Sequence, residues 1–190
     1  GVDGVAPDAT LIAIKTSNKA GSFYPEYVTC AFDWAAEHDV DISNSSYYMD
    51  PYAFWMPNEA SQAAGLEAAS RAIRYAKNHG VVNIAAEGND NDDHDNPTID
   101  KASPNDVEGA AVERNVAGGI DVPAMLNDSV VSMSAVALPT GTDPATATLE
   151  RSKFSNYGKN SVDVAAPGSR LWSTLPTWKK DPPFGYLSGT

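Results

Sequence analysis

Apolar and polar residues alternate along the first part of the chain in a pattern that predicts strands and helices in turn. Ala9–Lys15 is a short, mostly apolar run that favours a strand, and Val40–Ser46 alternates like the end of another strand. Glu26–His38 lies between them, and its side chains recur at the spacing of a helix. The residues that share this spacing are Tyr27, Ala31, Trp34 and His38.

The strongest helical pattern covers Asn58–His79. Asn58 is a candidate N-cap, and Gly80 is expected to end the helix. A strand, Val81–Ala86, follows directly. One face of this helix carries an apolar stripe formed by Leu66, Ala69, Ile73 and Ala76.

The second half of the chain predicts three further strands, at Val130–Ala137, Val162–Ala166 and Arg170–Thr174. Residues 89–128 differ from their surroundings because they are rich in Asp, Asn, Gly and Pro, which predicts a long surface insertion with at most one small element. Strands that alternate with helices imply right-handed crossovers. We therefore predict an α/β fold with a mostly parallel sheet and helices on both faces.

Composition narrows the possible partners. Thirteen basic against 25 acidic residues give a net charge of −12, which disfavours nucleic acid and anionic membrane surfaces. No apolar run approaches the roughly 20 residues of a membrane span. Cys30 is the single cysteine, so no disulfide forms within the chain, and its helical context predicts a buried, small apolar residue.

Two polar segments follow predicted strands, where α/β sheets bind their ligands. Ser43–Tyr48 follows the second strand, and Glu87–Asp90 follows Val81–Ala86. Within the second segment, Asn89 comes directly after a glycine, so its amide can donate a hydrogen bond into a cleft. The other interpretation of Asn89 is a residue that caps a turn, and its position alone does not decide between them.

The histidines and acidic residues show no metal-binding spacing. His38 and His79 end predicted helices, where a basic side chain suits the helix dipole. His94 lies in the acidic stretch Asn89–Asn96, which we interpret as a solvated loop rather than a calcium site. No phosphate-binding glycine motif follows a strand, which argues against a nucleotide-binding domain.

Taken together, six stretches resemble the subtilisin-like serine peptidases, or subtilases, and they occur in the family's order. One of them is similar to the strand that ends in the family's oxyanion asparagine, and the last is similar to the approach to its Gly-Thr-Ser-Met-Ala motif. The six stretches are Gly4–Lys15, Ala35–Ser46, Gly80–Asn89, Phe154–Gly158, Asp163–Gly168 and Gly185–Thr190.

The resemblance implies a secreted, extracellular endopeptidase that hydrolyses peptide bonds by an Asp-His-Ser triad. The motifs that carry the family's Asp and His would precede Gly1, and the catalytic serine would follow Thr190. Residues 1–190 are therefore expected to be the central segment of a subtilisin-like catalytic domain, incomplete and inactive alone. The other function class that the sequence allows is a catalytically inert peptide-binding or structural domain of the same fold.

The resemblance also assigns roles to residues. Asn89 would donate to the oxyanion, and Ser46, Tyr47 and Tyr48 would pair with an extended peptide or protein substrate. Glu87 and Gly88 would form a wall of the primary specificity pocket, where an acidic side chain would favour a basic substrate residue. Asp121–Pro123 is a candidate for the far side of that pocket. No cofactor is expected in this chain, although the resemblance allows calcium in the whole enzyme.

Overall fold

The computed structural model describes residues 3–139, 141–143, 145–179 and 182–190. The helices are α1 (Pro25–Glu37) and α2 (Ala60–Asn78). The strands, in chain order, are β1 (Ile42–Ser45), β2 (Val82–Ala86), β3 (Ile99–Asp100), β4 (Arg114–Asn115), β5 (Val131–Ala137), β6 (Glu150–Arg151), β7 (Val164–Pro167), β8 (Leu171–Thr174) and β9 (Phe184–Leu187).

The central sheet is mostly parallel, as predicted. β1 pairs with β2, β2 with β5, and β5 with β7, all in parallel, while the short β6 adds to β5 in the antiparallel direction. Both described helices contribute side chains to one apolar core beside this sheet. The opposite side of the sheet carries exposed apolar positions such as Ile42 and Val82, and no helix among the described residues is part of a second core there.

α2 follows the predicted pattern closely. All four residues of the predicted stripe are buried, because every third or fourth side chain of this helix points to the same core. The predicted cap is wrong: the N-cap is Glu59 rather than Asn58, and no side chain caps the first turn. Asn83 of β2 joins strand and helix, since its buried amide donates to the carbonyls of Ile73 and Ser129, each at 3.1 Å.

α1 is present where the spacing predicts it, but the side chains that it buries are not those that share the predicted spacing. Its buried side chains are Val28, Phe32, Ala35 and Ala36, while Tyr27 and Trp34 are partly exposed. The prediction of a buried Cys30 is also wrong, because this residue lies on the exposed side of the helix. The reason is that α1 packs mainly on α2, and that contact, rather than the local spacing, selects the buried face.

Ala9–Lys15 forms no strand, which corrects the prediction for this segment. Leu11 is 93% exposed, and β1 pairs only with β2 among the described strands, so none of these strands supplies hydrogen bonds to the segment. A segment with strand-favouring residues forms a strand only when a neighbouring strand exchanges backbone hydrogen bonds with it. Without such a neighbour, its backbone N–H and C=O groups bond to water.

Residues 89–128 contain one small regular element, the antiparallel pair of β3 and β4. Arg114 ties this region to the rest of the protein, since its guanidinium donates to Asp100 at 2.6 Å and to the Phe54 carbonyl at 3.1 Å. Whether the region is an insertion relative to the family stays a prediction. Neither described helix is long and apolar enough to cross a membrane.

Candidate active site

A cavity of about 580 Å³ lies at the carboxyl ends of β1 and β2. Parallel strands end at the same edge of the sheet, so the segments that follow them meet there. The cavity brings together five of the six residues predicted for the site, namely Ser46, Tyr47, Tyr48, Gly88 and Asn89. The sixth, Glu87, does not line the cavity.

The wall that follows β1 is held in place by aromatic and amide contacts. The ring of Tyr47 stacks on Phe23 with parallel planes and centroids 4.3 Å apart. The hydroxyl of Tyr48 accepts a hydrogen bond from the Asn105 amide at 2.8 Å. Asn105 also donates to Asp50 at 2.5 Å, so residues from the 89–128 region help to fix this wall.

The opposite wall turns sharply at Gly88. Its φ of 108° is favourable only for glycine, and a Cβ atom there would lie 2.4 Å from Nδ2 of Asn156. The carbonyl of Gly88 accepts from the backbone of Asn156 at 2.9 Å, and its N–H donates to the Thr190 hydroxyl at 3.1 Å. Any larger residue would push this turn away from the strand end.

Asn89 lies at the exposed rim of the cavity. Its Oδ1 accepts hydrogen bonds from the backbone N–H and the hydroxyl of Thr190, at 3.0 and 3.2 Å. Its Nδ2 donates to no group among the described residues. The side chain therefore does not simply cap its own turn, because the residue it binds is 101 positions away in the chain. An amide whose oxygen is held leaves its N–H groups available to a bound molecule.

Glu87 is completely buried beneath the cavity, with His94 beside it. Nδ1 of His94 lies 2.8 Å from the Glu87 carboxylate, and Nε2 lies 3.0 Å from Nδ2 of Asn156. Since the Asn156 amide can only donate through Nδ2, Nε2 accepts and Nδ1 carries the proton donated to Glu87. The interpretation of His94 as part of a solvated loop is wrong, because its side chain is 1% exposed.

Asn156 connects this buried pair to the loop above it. Its Oδ1 accepts from the backbone N–H groups of Asp90 and Asp92, at 2.8 and 3.0 Å. Its Nδ2 also donates to the carbonyl of Glu87 at 2.9 Å. Sequence reasoning assigned no role to Asn156, and the one available signal was its position within the family-like stretch Phe154–Gly158.

Asp121 also lines the cavity, whereas Val122 and Pro123, the other residues of the segment suggested for the far side of the pocket, do not. Its side chain is about 10% exposed, and its Oδ2 lies 4.0 Å from Nε2 of His94, beyond hydrogen-bond distance. Oδ1 is buried without a hydrogen-bond partner among the described residues. Burial raises the pKa of Asp121 from 3.8 to about 8, and nearby Glu87 and Asp90 reinforce this.

The acidic loop that begins at Asn89 uses another carboxylate for structure. Asp95 accepts the backbone N–H groups of Lys159, Asn160 and Ser161 at 2.8–3.1 Å, which ties the loop to the segment before β7. Within the part of the chain that the structure describes, no group of three or more His, Cys, Asp or Glu residues is placed to hold a metal ion.

Comparison with known structures shows the same fold. The epidermin leader peptide processing serine protease EpiP of Staphylococcus aureus matches with a TM-score of 0.66 and 24% identity, over 98% of this chain and 45% of that chain. Sphericase matches with a TM-score of 0.63 and 22% identity, over 100% of this chain and 52% of that chain. Both likenesses support the mostly parallel α/β architecture.

Comparison with known sequences gives the family. The "Major intracellular serine protease" of Bacillus subtilis (strain 168) is 28% identical over 191 residues, which cover 100% of this chain and 45% of that protein. Thermitase of Thermoactinomyces vulgaris is 27% identical over 190 residues, covering 100% of this chain and 49% of that protein. The chain thus spans about half the length of these relatives. The family model described as "Subtilase family" matches residues 1–190, and the chain belongs to the subtilase family.

Proposed function

We propose that the protein is a serine endopeptidase and that Asn89 stabilises the oxyanion formed when a peptide bond is attacked. The observation that carries this proposal is the Asn89 side chain, whose oxygen is held by Thr190 while Nδ2 has no partner among the described residues. A tetrahedral oxyanion needs donors that are in place before the charge develops. Asn89 meets this requirement at the rim of a cavity large enough for a substrate side chain.

The substrate is proposed to lie along Ser46–Tyr48 as an added strand. These residues follow β1, which pairs only with β2 among the described strands, so its other edge is available to an extended peptide. Backbone pairing of this kind provides affinity with little sequence preference, while the cavity between Ser46–Tyr48 and Gly88 receives one side chain. We therefore propose peptides or proteins as substrates.

The catalytic Asp, His and Ser are proposed to come from parts of the protein outside residues 1–190. Thr190 is held beside Asn89, so a serine that follows it would lie next to the proposed oxyanion donor, and its own N–H would be the second donor. Residues 1–190 alone are then expected to leave casein and peptide anilides intact. Hydrolysis by this polypeptide that titrates one-to-one with a serine-directed inhibitor would contradict this part of the proposal.

Asn89→Ala in the whole enzyme tests the proposed role. The substitution removes one donor and leaves Ser46–Tyr48 unchanged, so kcat should fall roughly 100- to 1,000-fold with KM nearly constant; that scale comes from subtilisin itself. Asn78→Ala, at the exposed end of α2, is the matched control and should retain normal kinetics. A purely structural turn residue predicts instead a lower unfolding midpoint with normal kcat in the folded fraction, which would remove Asn89 from the mechanism.

Secretion is proposed as the location of the enzyme. The relative named "Major intracellular serine protease" makes the intracellular alternative concrete. Quantifying the protein by immunoblot in culture medium and in cell lysate of its source decides between them. Accumulation in the lysate alone would contradict secretion without affecting the proposed chemistry.

A further inference from the structure

The cavity is acidic. Four aspartates line it, and no lysine or arginine does so among the described residues. Asp90 is exposed at the rim, and Asp92 is half-buried beside it. Asp50 is already occupied, because its two oxygens accept hydrogen bonds from the Phe23 N–H and the Asn105 amide, each at 2.5 Å. The fourth aspartate, Asp121, is buried like Asp50, but its Oδ1 has no hydrogen-bond partner among the described residues.

Asp121 is a buried carboxyl with an unused hydrogen-bonding atom. Its backbone is fixed, since its carbonyl accepts from Met125 at 2.9 Å and the preceding residue, Ile120, bridges to Trp55. Nine-tenths of its side chain is inaccessible, and Oδ1 has no partner within the described chain. A buried oxygen without a partner is unfavourable, and the structure tolerates it at a position that faces the cavity.

The missing partner has a definite chemistry. A group that pairs with the ionised carboxylate brings N–H donors and positive charge into a partly apolar space lined by Phe54, Tyr48 and Ala86. A guanidinium or ammonium group on a long aliphatic stem fits this description, because the stem contacts the walls while the head meets the carboxylate. A metal ion fits less well, since no group of three ligands is assembled among the described residues.

We propose that the cavity binds the arginine or lysine side chain of a peptide substrate and that Asp121 is the residue that determines this specificity. The inference rests on the proposed function, since the peptide is the substrate of that reaction. Sequence reasoning assigned the acidic preference to Glu87. The geometry transfers it to Asp121, because Glu87 does not line the cavity and is already paired with His94.

The raised pKa of Asp121 adds a second observable. With a pKa of about 8, the carboxyl of the empty cavity is mostly protonated at pH 7, whereas a bound guanidinium requires the ionised form. Binding at pH 7 should therefore release close to one proton, and affinity should rise as the pH approaches 8. The titratable groups around Asp121 are Glu87, His94, Asp90, Asp92 and Tyr48.

Binding of small amides to the whole protein tests the assignment without requiring catalysis. Acetyl-arginine amide should bind, and acetyl-citrulline amide, its neutral isostere, should bind roughly 10- to 100-fold more weakly. Asp121→Asn should remove this difference and the proton release, both measured by calorimetry in buffers of different ionisation enthalpy. Asp33→Asn, which removes one exposed carboxylate from α1, is the charge-matched control and should behave like the parent. Equal affinity for both amides in the parent protein overturns the proposal even if the variant does not fold.

Hydrolysis of peptides that differ only in the residue before the scissile bond completes the test. We expect arginine to be preferred over citrulline by roughly tenfold or more in kcat/KM, and Asp121→Asn to abolish this preference. Hydrolysis with no such preference refutes the assignment of Asp121 and leaves the peptidase intact. If the parent protein binds the arginine amide more tightly than the citrulline amide but hydrolyses no peptide, the proposed function is refuted and the assignment of Asp121 stands. If calcium or magnesium competes with acetyl-arginine amide for the parent protein but does not bind Asp121→Asn, the proposal is overturned in favour of a metal site.

Discussion

Asp100 and Asp121 lie in the same region of the chain, and both are buried, yet their surroundings are opposite. Asp100 accepts hydrogen bonds from Arg114 at 2.6 Å and from the N–H groups of Ala102 and Ser103 at 2.8 and 3.2 Å. Burial alone would raise the pKa of Asp100, but the Ser103 and Arg114 side chains outweigh it and lower the pKa. For Asp121, burial wins and raises the pKa to about 8.

This difference separates a carboxylate that stabilises the fold from the one that we propose binds substrate. The partners of Asp100 join β3, β4 and Phe54, so its charge holds the fold together. The side chain of Asp121 has no such partner, and it faces a cavity. A carboxyl group that is both buried and unpaired lowers stability, which is the pattern expected where binding has priority over folding.

The largest loss of stability should result from a substitution that leaves Asp100, like Asp121, buried without a cationic partner. Arg114→Met keeps much of the side-chain volume but leaves a buried carboxylate without its cation, so the free energy of unfolding should fall by about 3–5 kcal/mol. Urea denaturation at pH 7 measures this change. Lys101→Met provides the control, because it breaks an ion pair with Glu113 that is exposed on both sides and should change stability by less than about 1 kcal/mol. Equal losses in the two variants would contradict the comparison.

A smaller loss of stability is expected when the buried carboxylate of Glu87 loses its hydrogen-bond partner, His94. His94→Phe preserves an aromatic ring against Phe54 but removes the nitrogen that donates to the buried carboxylate. We expect the free energy of unfolding to fall by about 2–3 kcal/mol, the scale of a hydrogen bond to a charged group.

His79→Phe is the matched control for this change. His79 is an exposed C-cap residue of α2, so its replacement should cost less than about 1 kcal/mol. If His94→Phe is no more destabilising than His79→Phe, then the contact between Glu87 and His94 contributes nothing to the stability of the fold.

Local patterns predict those parts of the molecule that depend on near neighbours in the chain. The apolar stripe of α2 is correct because all its members lie on one helix and face one core. The same reasoning is less successful for α1, since its buried face depends on where α2 lies, and Cys30 is consequently on the exposed side. Ala9–Lys15 shows the limit most clearly, because a strand requires a partner that the run itself does not contain.

The residues of the candidate site also fall into those that local patterns predict and those that depend on distant parts of the chain. Five of the six predicted residues meet at the cavity because each follows a strand, and strand ends can be located from the alternation of residues. The His94 network could not be predicted, since Asn156 is 62 residues away from His94 in the chain. Polar residues in an acidic stretch look solvated until the fold supplies partners that permit their burial.

The only gain in stability is expected from Asp121→Asn. Between pH 3.8 and about 8 the unfolded chain releases the proton of this carboxyl while the folded protein retains it, so the parent protein loses stability as the pH rises through this window. Asparagine does not titrate and avoids this loss. The variant should therefore match the parent at pH 3 and exceed its free energy of unfolding at pH 8 by up to about 5 kcal/mol, since each unit by which folding raises the pKa costs roughly 1.4 kcal/mol. Denaturation at both pH values measures the difference, with Asp33→Asn expected to stay within about 0.5 kcal/mol of the parent.

A variant that gains stability while it loses affinity for acetyl-arginine amide would show that Asp121 is retained for binding rather than for folding. Equal stability of parent and variant at pH 8 would mean that the carboxyl finds a partner in solution, and the contrast with Asp100 would disappear.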